Sequence, residues 1–286
     1  MKHPTNDNSV SKRGPTAGTP LTAHSDPSRH LLRTQAIELR NSFLFAQKLG
    51  KPLNTFVTVD LVGAKGWSTD LPSRDQAGKI AESFRKAIKD WCARHGLTPA
   101  FIYVLENPPS GGPGIHMHLL MHLPEGPEWL SLRNSLERCL QMAGGWSFST
   151  SSSAPVAGAA LPKSRRTPLE LGGSPLSVAD QLIKLRYLSK GISPREVVVV
   201  DGVRKTLNQL AGDSIDPHVT LRPQGDVFTT KRAGGTSSLG KTSRRKAGWV
   251  EQNDLLWLSR KLERDALRKE TENKLKAWHK KKGTTP

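Results

Sequence analysis

Three histidines fall close together in residues 115 to 123, IHMHLLMHL, at His116, His118 and His122. The run is apolar and short enough for a strand, on which alternate side chains share a face. Ile115, Met117, Leu119 and Met121 then form one wholly apolar side, while the three histidines lie on the other. Same-face neighbours on a strand are roughly 6.6 Å apart, a gap that two imidazoles close by leaning toward one ion with bonds of about 2 Å. One histidine on a half-buried strand is ordinarily a packing residue. Three opposite an unbroken apolar face point to metal ligation. In the preceding run, FIYVLE, Ile102, Val104 and Glu106 share a face, and Glu106 stands at the end where the chain folds back toward His116. Two imidazoles and a carboxylate, with coordination positions left open, suit a divalent ion such as Mg²⁺ or Mn²⁺ that polarises a phosphate. Glu106 also reads as a solvated charge at a hairpin edge. His122 is the rival third ligand, and equally reads as a phosphate contact or a solvent-facing side chain.

A second signal is a tyrosine in the basic stretch DQLIKLRYLSKG, residues 180 to 191, in a chain with only two tyrosines. Leu182, Leu185 and Leu188 recur at helical spacing, and at 100° per residue Tyr187 points about 160° away from Leu185. It therefore stands off the apolar stripe. Lys184 and Lys190 lie three residues to either side, next to it on the helix surface, where their charge draws in a phosphate. Tyrosine is an accepted covalent nucleophile. Alone it would read as an amphipathic residue at the edge of the core, and the histidine strand upstream gives it its chemical meaning.

The elements that must carry these groups follow from periodicity. A helix is expected over residues 31 to 49, where Leu32, Ala36, Leu39, Phe43 and Ala46 share a face ahead of Gly50 and Pro52. The β-branched run TFVTVDL (55 to 61) is strand-like, and Ile80, Phe84, Ala87, Ile88 and Trp91 mark a helix that stops before Gly96. The two strands FIYVLE and IHMHLLMHL are joined by NPPSGGPG, whose Pro and Gly content stops both elements and leaves a hairpin. Leu132, Leu136 and Leu140 mark another helix, residues 146 to 148 read as the start of a strand, and 149 to 175 as a flexible loop or insertion. The tyrosine helix is expected over 177 to 190, a strand at EVVVV, and a basic helix from about 253 to 282. Residues 1 to 29, rich in Ser, Thr, Pro, Asn and Gly, cannot bury enough surface to offset the entropy of ordering and are expected to be a disordered tail.

In this order the motifs resemble a known family. A hydrophobic strand TFVTVD, then IHMHLL with its His-hydrophobic-His, then Tyr187 and Lys190 in YLSK are similar to the three motifs of single-tyrosine HUH endonucleases, the rolling-circle replication initiators of plasmids and phages. The motifs cover residues 54 to 191, about half the chain. The resemblance implies an α+β fold, a ferredoxin-like HUH domain with a central antiparallel sheet and helices packed on it. It further implies that His116 and His118 bind the ion that polarises the scissile phosphate of single-stranded DNA. Tyr187 would attack to leave a 5′-phosphotyrosine and a free 3′-OH, with Lys190 steadying the phosphate or the phenolate. The third ligand varies in the family, so Glu106 shares that place with His122 and with Gln181 on the tyrosine helix. The implied partner is a replication origin, presented as single-stranded DNA or a hairpin, together with a host helicase and polymerase. Mobilisation or transposition by the same chemistry, and a non-cutting single-strand binding module on the same fold, are the alternatives.

Composition agrees with such a partner. Among 286 residues, 43 Lys and Arg against 25 Asp and Glu give a net +18, the balance of a polyanion binder. Residues 231 to 286 hold 16 basic and 6 acidic side chains, so more than half of that charge lies in the last fifth of the chain. Lys184, Arg186, Arg244, Arg245 and Lys246 are the expected DNA contacts. The expected organisation is the tail, an HUH domain over 30 to 210, and a basic C-terminal extension with a long helix over 211 to 286. No GxxxxGK[ST] loop is present, as befits rejoining driven by the energy held in a covalent phosphotyrosine. The H-x-H-x-x-x-H spacing lacks the Asp-His of metallo-β-lactamases and the downstream Glu of cupins. No run reaches the 18 or more apolar residues of a membrane span, and the first residues lack the apolar stretch of a signal peptide. A cytoplasmic, nucleoid-associated protein is expected, with Cys92 and Cys139 as ordinary buried thiols.

Overall fold

A computed structural model describes residues 30–61, 74–107, 115–124, 128–144, 169–171, 175–210 and 232–282. The tail expected over 1 to 29, the strand expected at 146 to 148 and most of the loop at 149 to 175 lie outside the described residues.

Helix α1 (Arg33–Lys48) is followed by β1 (Thr55–Asp60), α2 (Arg74–Arg94), β2 (Phe101–Glu106), β3 (His116–Met121), α3 (Glu128–Gly144) and β4 (Leu169–Leu171). Then come α4 (Val178–Leu188), the hairpin β5 (Val197–Val200) and β6 (Val203–Thr206), the short α5 (Leu207–Leu210), β7 (Ala233–Gly235), α6 (Lys241–Lys246) and α7 (Arg260–Lys282). The main sheet has the order β4-β1-β3-β2-β7 with every neighbouring pair antiparallel. The molecule is thus α+β. No described helix is long and apolar enough to cross a membrane.

Both faces of the sheet are covered, which is why all six residues of β2 are buried. On one face Val57, Val59, Phe101, Tyr103, Met117, Leu119 and Met121 pack against Phe84, Ile88 and Trp91 of α2 and Leu132 and Leu136 of α3. On the other, Ile102, Val104 and Leu120 meet Leu39 and Phe43 of α1 and Leu185 and Leu188 of α4. Fully burying such side chains is worth about 1.5–3 kcal/mol each, so these layers fix the helices on the sheet. The alternation expected in residues 115 to 123 is realised: the Ile115/Met117/Leu119/Met121 side enters the α2–α3 core. The opposite side carries His116, His118 and Leu120.

Register then places the chemistry. Glu106 on β2 and Asp60 on β1 are the cross-strand partners of His116, and Val104 and Thr58 those of His118. The pairing of Glu106 with His116 makes the expected β2–β3 hairpin, whose residues 108 to 114 lie outside the described residues. Within the span read as a loop, Leu169–Leu171 pairs with β1 as the edge strand β4. Three residues are too short for periodicity to betray them.

The C-terminal segment differs most from expectation. Residues 233 to 259 are not an appendage but part of the same fold: β7 adds to the free edge of β2, and Leu239, Leu255, Trp257 and Leu258 enter the core beside α1. Gly235 makes this approach possible, since a Cβ there would sit 2.9 Å from the Phe101 carbonyl oxygen. Arg244, expected to face DNA phosphate, is instead enclosed. Its guanidinium donates to both oxygens of Glu38 at 2.9 and 2.6 Å, to Glu251 at 2.9 Å, and to Ser42 Oγ and the Leu239 carbonyl. Two carboxylates of the chain itself, both partly exposed, take the place of an external phosphate. The last helix starts at Arg260 rather than near 253, because a 3-10 turn over Leu256–Leu258, preceded by Leu255, turns Leu255 and Leu258 into the core.

Cys92 and Cys139 are both free, and burial pushes both thiols up.

Candidate functional site

The site is assembled at one end of the β2–β3 hairpin and closed by α4. His116 Nε2 and His118 Nε2 each lie 2.9 Å from Glu106 Oε2. The two imidazoles meet edge to face with centroids 4.6 Å apart. One ligand atom from each of these three residues fits within a 4.8 Å span, and no other such group of His, Cys, Asp and Glu occurs among the described residues. Glu106, His116 and His118 therefore stand close enough to hold one metal ion. The donor set of two nitrogens and one oxygen suits a first-row divalent ion.

The electrostatics favour that use. Burial alone would raise the Glu106 carboxyl, but hydrogen bonds from His116 and His118 and the charge of Lys190 outweigh it and hold it well below the usual carboxylate range. Burial pushes His118 down to about 4, overriding the bond to Glu106 that would raise it. At neutral pH the pair is thus an ionised carboxylate and a neutral imidazole, the forms that ligate metal.

Helix α4 brings the tyrosine. Ser177 caps it, its Oγ accepting the Asp180 N–H at 3.2 Å. With Leu185 and Leu188 buried against α1 and the sheet, the opposite flank of the helix carries Tyr187 over the histidine face. The Tyr187 ring stands edge-on to His118 at 5.1 Å and to Phe56 at 5.9 Å. Lys190, one turn on, bridges the two halves of the site: its Nζ is 2.7 Å from Glu106 Oε2 and 3.5 Å from the Tyr187 ring centroid. Lys184, one turn back, lies over Phe56 at 4.6 Å and near Tyr187 at 5.8 Å.

Other candidate residues lie elsewhere. His122 falls just past the end of β3, where its Nδ1 is 2.9 Å from the Pro52 carbonyl, and it does not join the cluster. Gln181 is buried; its Nε2 donates to the Leu176 carbonyl, and its Oε1 has no hydrogen-bond partner among the described residues. Arg186, expected at DNA, is buried, with Nε donating to the Trp257 carbonyl at 2.8 Å. Arg245 and Lys246 are exposed on α6.

Two residues at the site escaped sequence reasoning. Phe56 stacks on the His118 ring at 5.5 Å and 17°, and Thr58 Oγ1 lies 3.0 Å from His118 Nδ1. Alternation in TFVTVD puts both opposite Val57 and Val59. That face becomes the histidine face only through the pairing of β1 with β3, which no local pattern announces.

Compared with protein-family models, with curated proteins and with solved structures, the chain matches none of them.

Proposed function

We propose that the protein is a metal-dependent endonuclease of single-stranded DNA that cuts and rejoins through a covalent tyrosine link, as in HUH-type replication initiators. The observation that carries this reading is the convergence of three separately encoded groups. His116 and His118 come from β3, Glu106 from β2, and Tyr187 from α4 with Lys190 in the turn just past its end, and Tyr187 stands 5.1 Å, ring to ring, from a histidine of the metal-capable cluster. The β-α-β-β-α-β connection with strand order 4-1-3-2 supports the finer reading of the α+β fold as ferredoxin-like.

In this mechanism Glu106, His116 and His118 hold a divalent ion, Mg²⁺ or Mn²⁺, which when bound withdraws charge from the scissile phosphate. The Tyr187 phenol oxygen attacks phosphorus and gives up its proton. The P–O3′ bond breaks, leaving a 5′-phosphotyrosine and a 3′-hydroxyl that takes up a proton. Lys190, already between the carboxylate and the tyrosine ring, supplies positive charge to the transferring group. Lys184 and the exposed Arg245 and Lys246 offer phosphate contacts along the strand. The number of P–O bonds is unchanged, so the reverse attack by a 3′-hydroxyl rejoins the strand without a nucleotide cofactor. A free 3′-end at an origin, extended by a host polymerase behind a host helicase, would start rolling-circle replication in the cytoplasm.

The test is a denaturing gel of the full-length protein with Mn²⁺ and a pool of labelled single-stranded oligonucleotides. A labelled protein band is expected that disappears with Tyr187→Phe and in excess chelator. A band that persists at full yield in Tyr187→Phe assigns the nucleophile elsewhere. DNA binding without any band turns the reading toward a module that holds a single strand without cutting it.

A further inference from the structure

The hydroxyl opposite His118 has no part in the chemistry above, yet it bears on which nitrogen of that ring can ligate. An imidazole ligates through the nitrogen that lacks a proton, and the partner of its other nitrogen decides which one that is. His118 Nε2 is the atom turned toward Glu106, at 2.9 Å, and Nδ1 the atom turned toward Thr58 Oγ1, at 3.0 Å. Thr58 is the cross-strand partner of His118, so the contact is fixed by sheet register rather than by a mobile loop. A β-branched side chain on a strand is also restricted at χ1. His118 is only 4% exposed, so water does not readily replace the hydroxyl.

We infer that Thr58 is a positioning residue that sets the tautomer of His118 and aims its Nε2 at the metal. The inference rests on the metal-site reading and deepens it. A hydroxyl both donates and accepts, which gives Thr58 a property that a carbonyl or a carboxylate lacks. In protein stripped of metal, Nε2–H donates to Glu106 and the Thr58 hydroxyl donates to Nδ1. When Nε2 ligates, the proton resides on Nδ1 and the same hydroxyl, rotated about its C–O bond, accepts it. In either tautomer the Thr58 hydroxyl keeps its hydrogen bond to Nδ1 without a shift of the backbone that pairs the two residues. Phe56, stacked on the ring at an interplanar angle of 17°, holds the plane through the exchange.

The experiment measures Mn²⁺ affinity by calorimetry on the full-length protein, stripped of metal, with the melting temperature of the stripped protein recorded beside it. Thr58→Val keeps the shape and removes the hydroxyl, and is expected to weaken Mn²⁺ binding about 10- to 100-fold. Thr58→Ser is expected to bind within about three-fold of the wild type, a rescue that a purely packing role would not give. A second readout needs no variant: nitrogen-15 spectra of the histidine rings with diamagnetic Zn²⁺ bound are expected to show the His118 proton on Nδ1. Equal Mn²⁺ affinity in wild type and Thr58→Val, or a His118 proton on Nε2 with Zn²⁺ bound, overturns the role of Thr58. A wild type with no saturable Mn²⁺ binding overturns the metal-site reading itself, and the inference with it.

Discussion

His118 and Glu106 leave a signature in how stability depends on pH. The ordinary histidine value is 6.5 and His118 is pushed down to about 4, so the folded chain binds fewer protons than the unfolded one between those limits. Its contribution is therefore present above about 6.5 and lost as pH falls toward 4. The Glu106 carboxyl, also held low, adds a loss of the same sign at still lower pH. The melting temperature of metal-stripped protein should fall from pH 7 to pH 4, and fall less in His118→Gln; identical profiles would contradict the burial of this ring. At the same scale the sequence was unevenly readable. The H-x-H pair and Tyr187 stood out because alternation and helical spacing are local. Glu106 followed from the Pro and Gly between the two strands. His122 obeyed the same alternation but lies beyond Met121, where the strand ends, and that end is set by tertiary contacts.

Elements with a side-chain pattern were legible, and those built on backbone were not. α1, α2, α3 and α4 each announce a stripe; α1 and α4 lie within about two residues of the bounds expected for them, and α2 and α3 contain the stripes read at 80 to 91 and 132 to 140. The strand β7 is Ala-Gly-Gly: it has no alternation to read, and its role is to bring backbone close to β2. Gly235→Ala should therefore cost about 1–3 kcal/mol, as overpacking does, because the new methyl meets a carbonyl oxygen at 2.9 Å and the Ile102 side chain at 3.2 Å. A urea midpoint unchanged within error would show that β7 can move off the edge freely. Leu255 and Leu258 mislead for the opposite reason. Their spacing fits the helix that follows, yet the 3-10 turn directs them into the core, so helical period alone placed the start of α7 about two turns early.

Charge in the whole molecule divides into an inner and an outer set, and net charge alone does not separate them. Arg244 and Arg186 count toward +18 but hold the C-terminal segment to α1 and α4. The outer set includes the exposed Lys261, Arg264, Arg268, Lys269, Lys274 and Lys276 of α7, a helix tied near its middle to the β5–β6 turn by Lys269 and Asp201. Two truncations should then behave differently. Ending the chain at residue 259 keeps β7 and the Arg244 network, and should leave a folded protein whose single-strand affinity falls and whose salt slope flattens by about 0.7 for each phosphate that α7 neutralises. Ending it at residue 231 removes core side chains and should abolish cooperative melting. An unchanged slope in the first would make α7 an architectural element, and a sharp transition in the second would restore the boundary that the charge run suggested. One further consequence lies in how α4 is moored. Arg186 fastens it to the Trp257 carbonyl, and at its far end Leu31 N–H donates to the Gly191 carbonyl while Leu31 bridges Ile192. Under the proposed chemistry, a strand covalently fixed to Tyr187 is pulled whenever DNA is reeled away. Tension entering at that tyrosine passes within a few residues into both α1 and the C-terminal segment, so the moorings act as strain relief for a joint that must survive until the strand is returned.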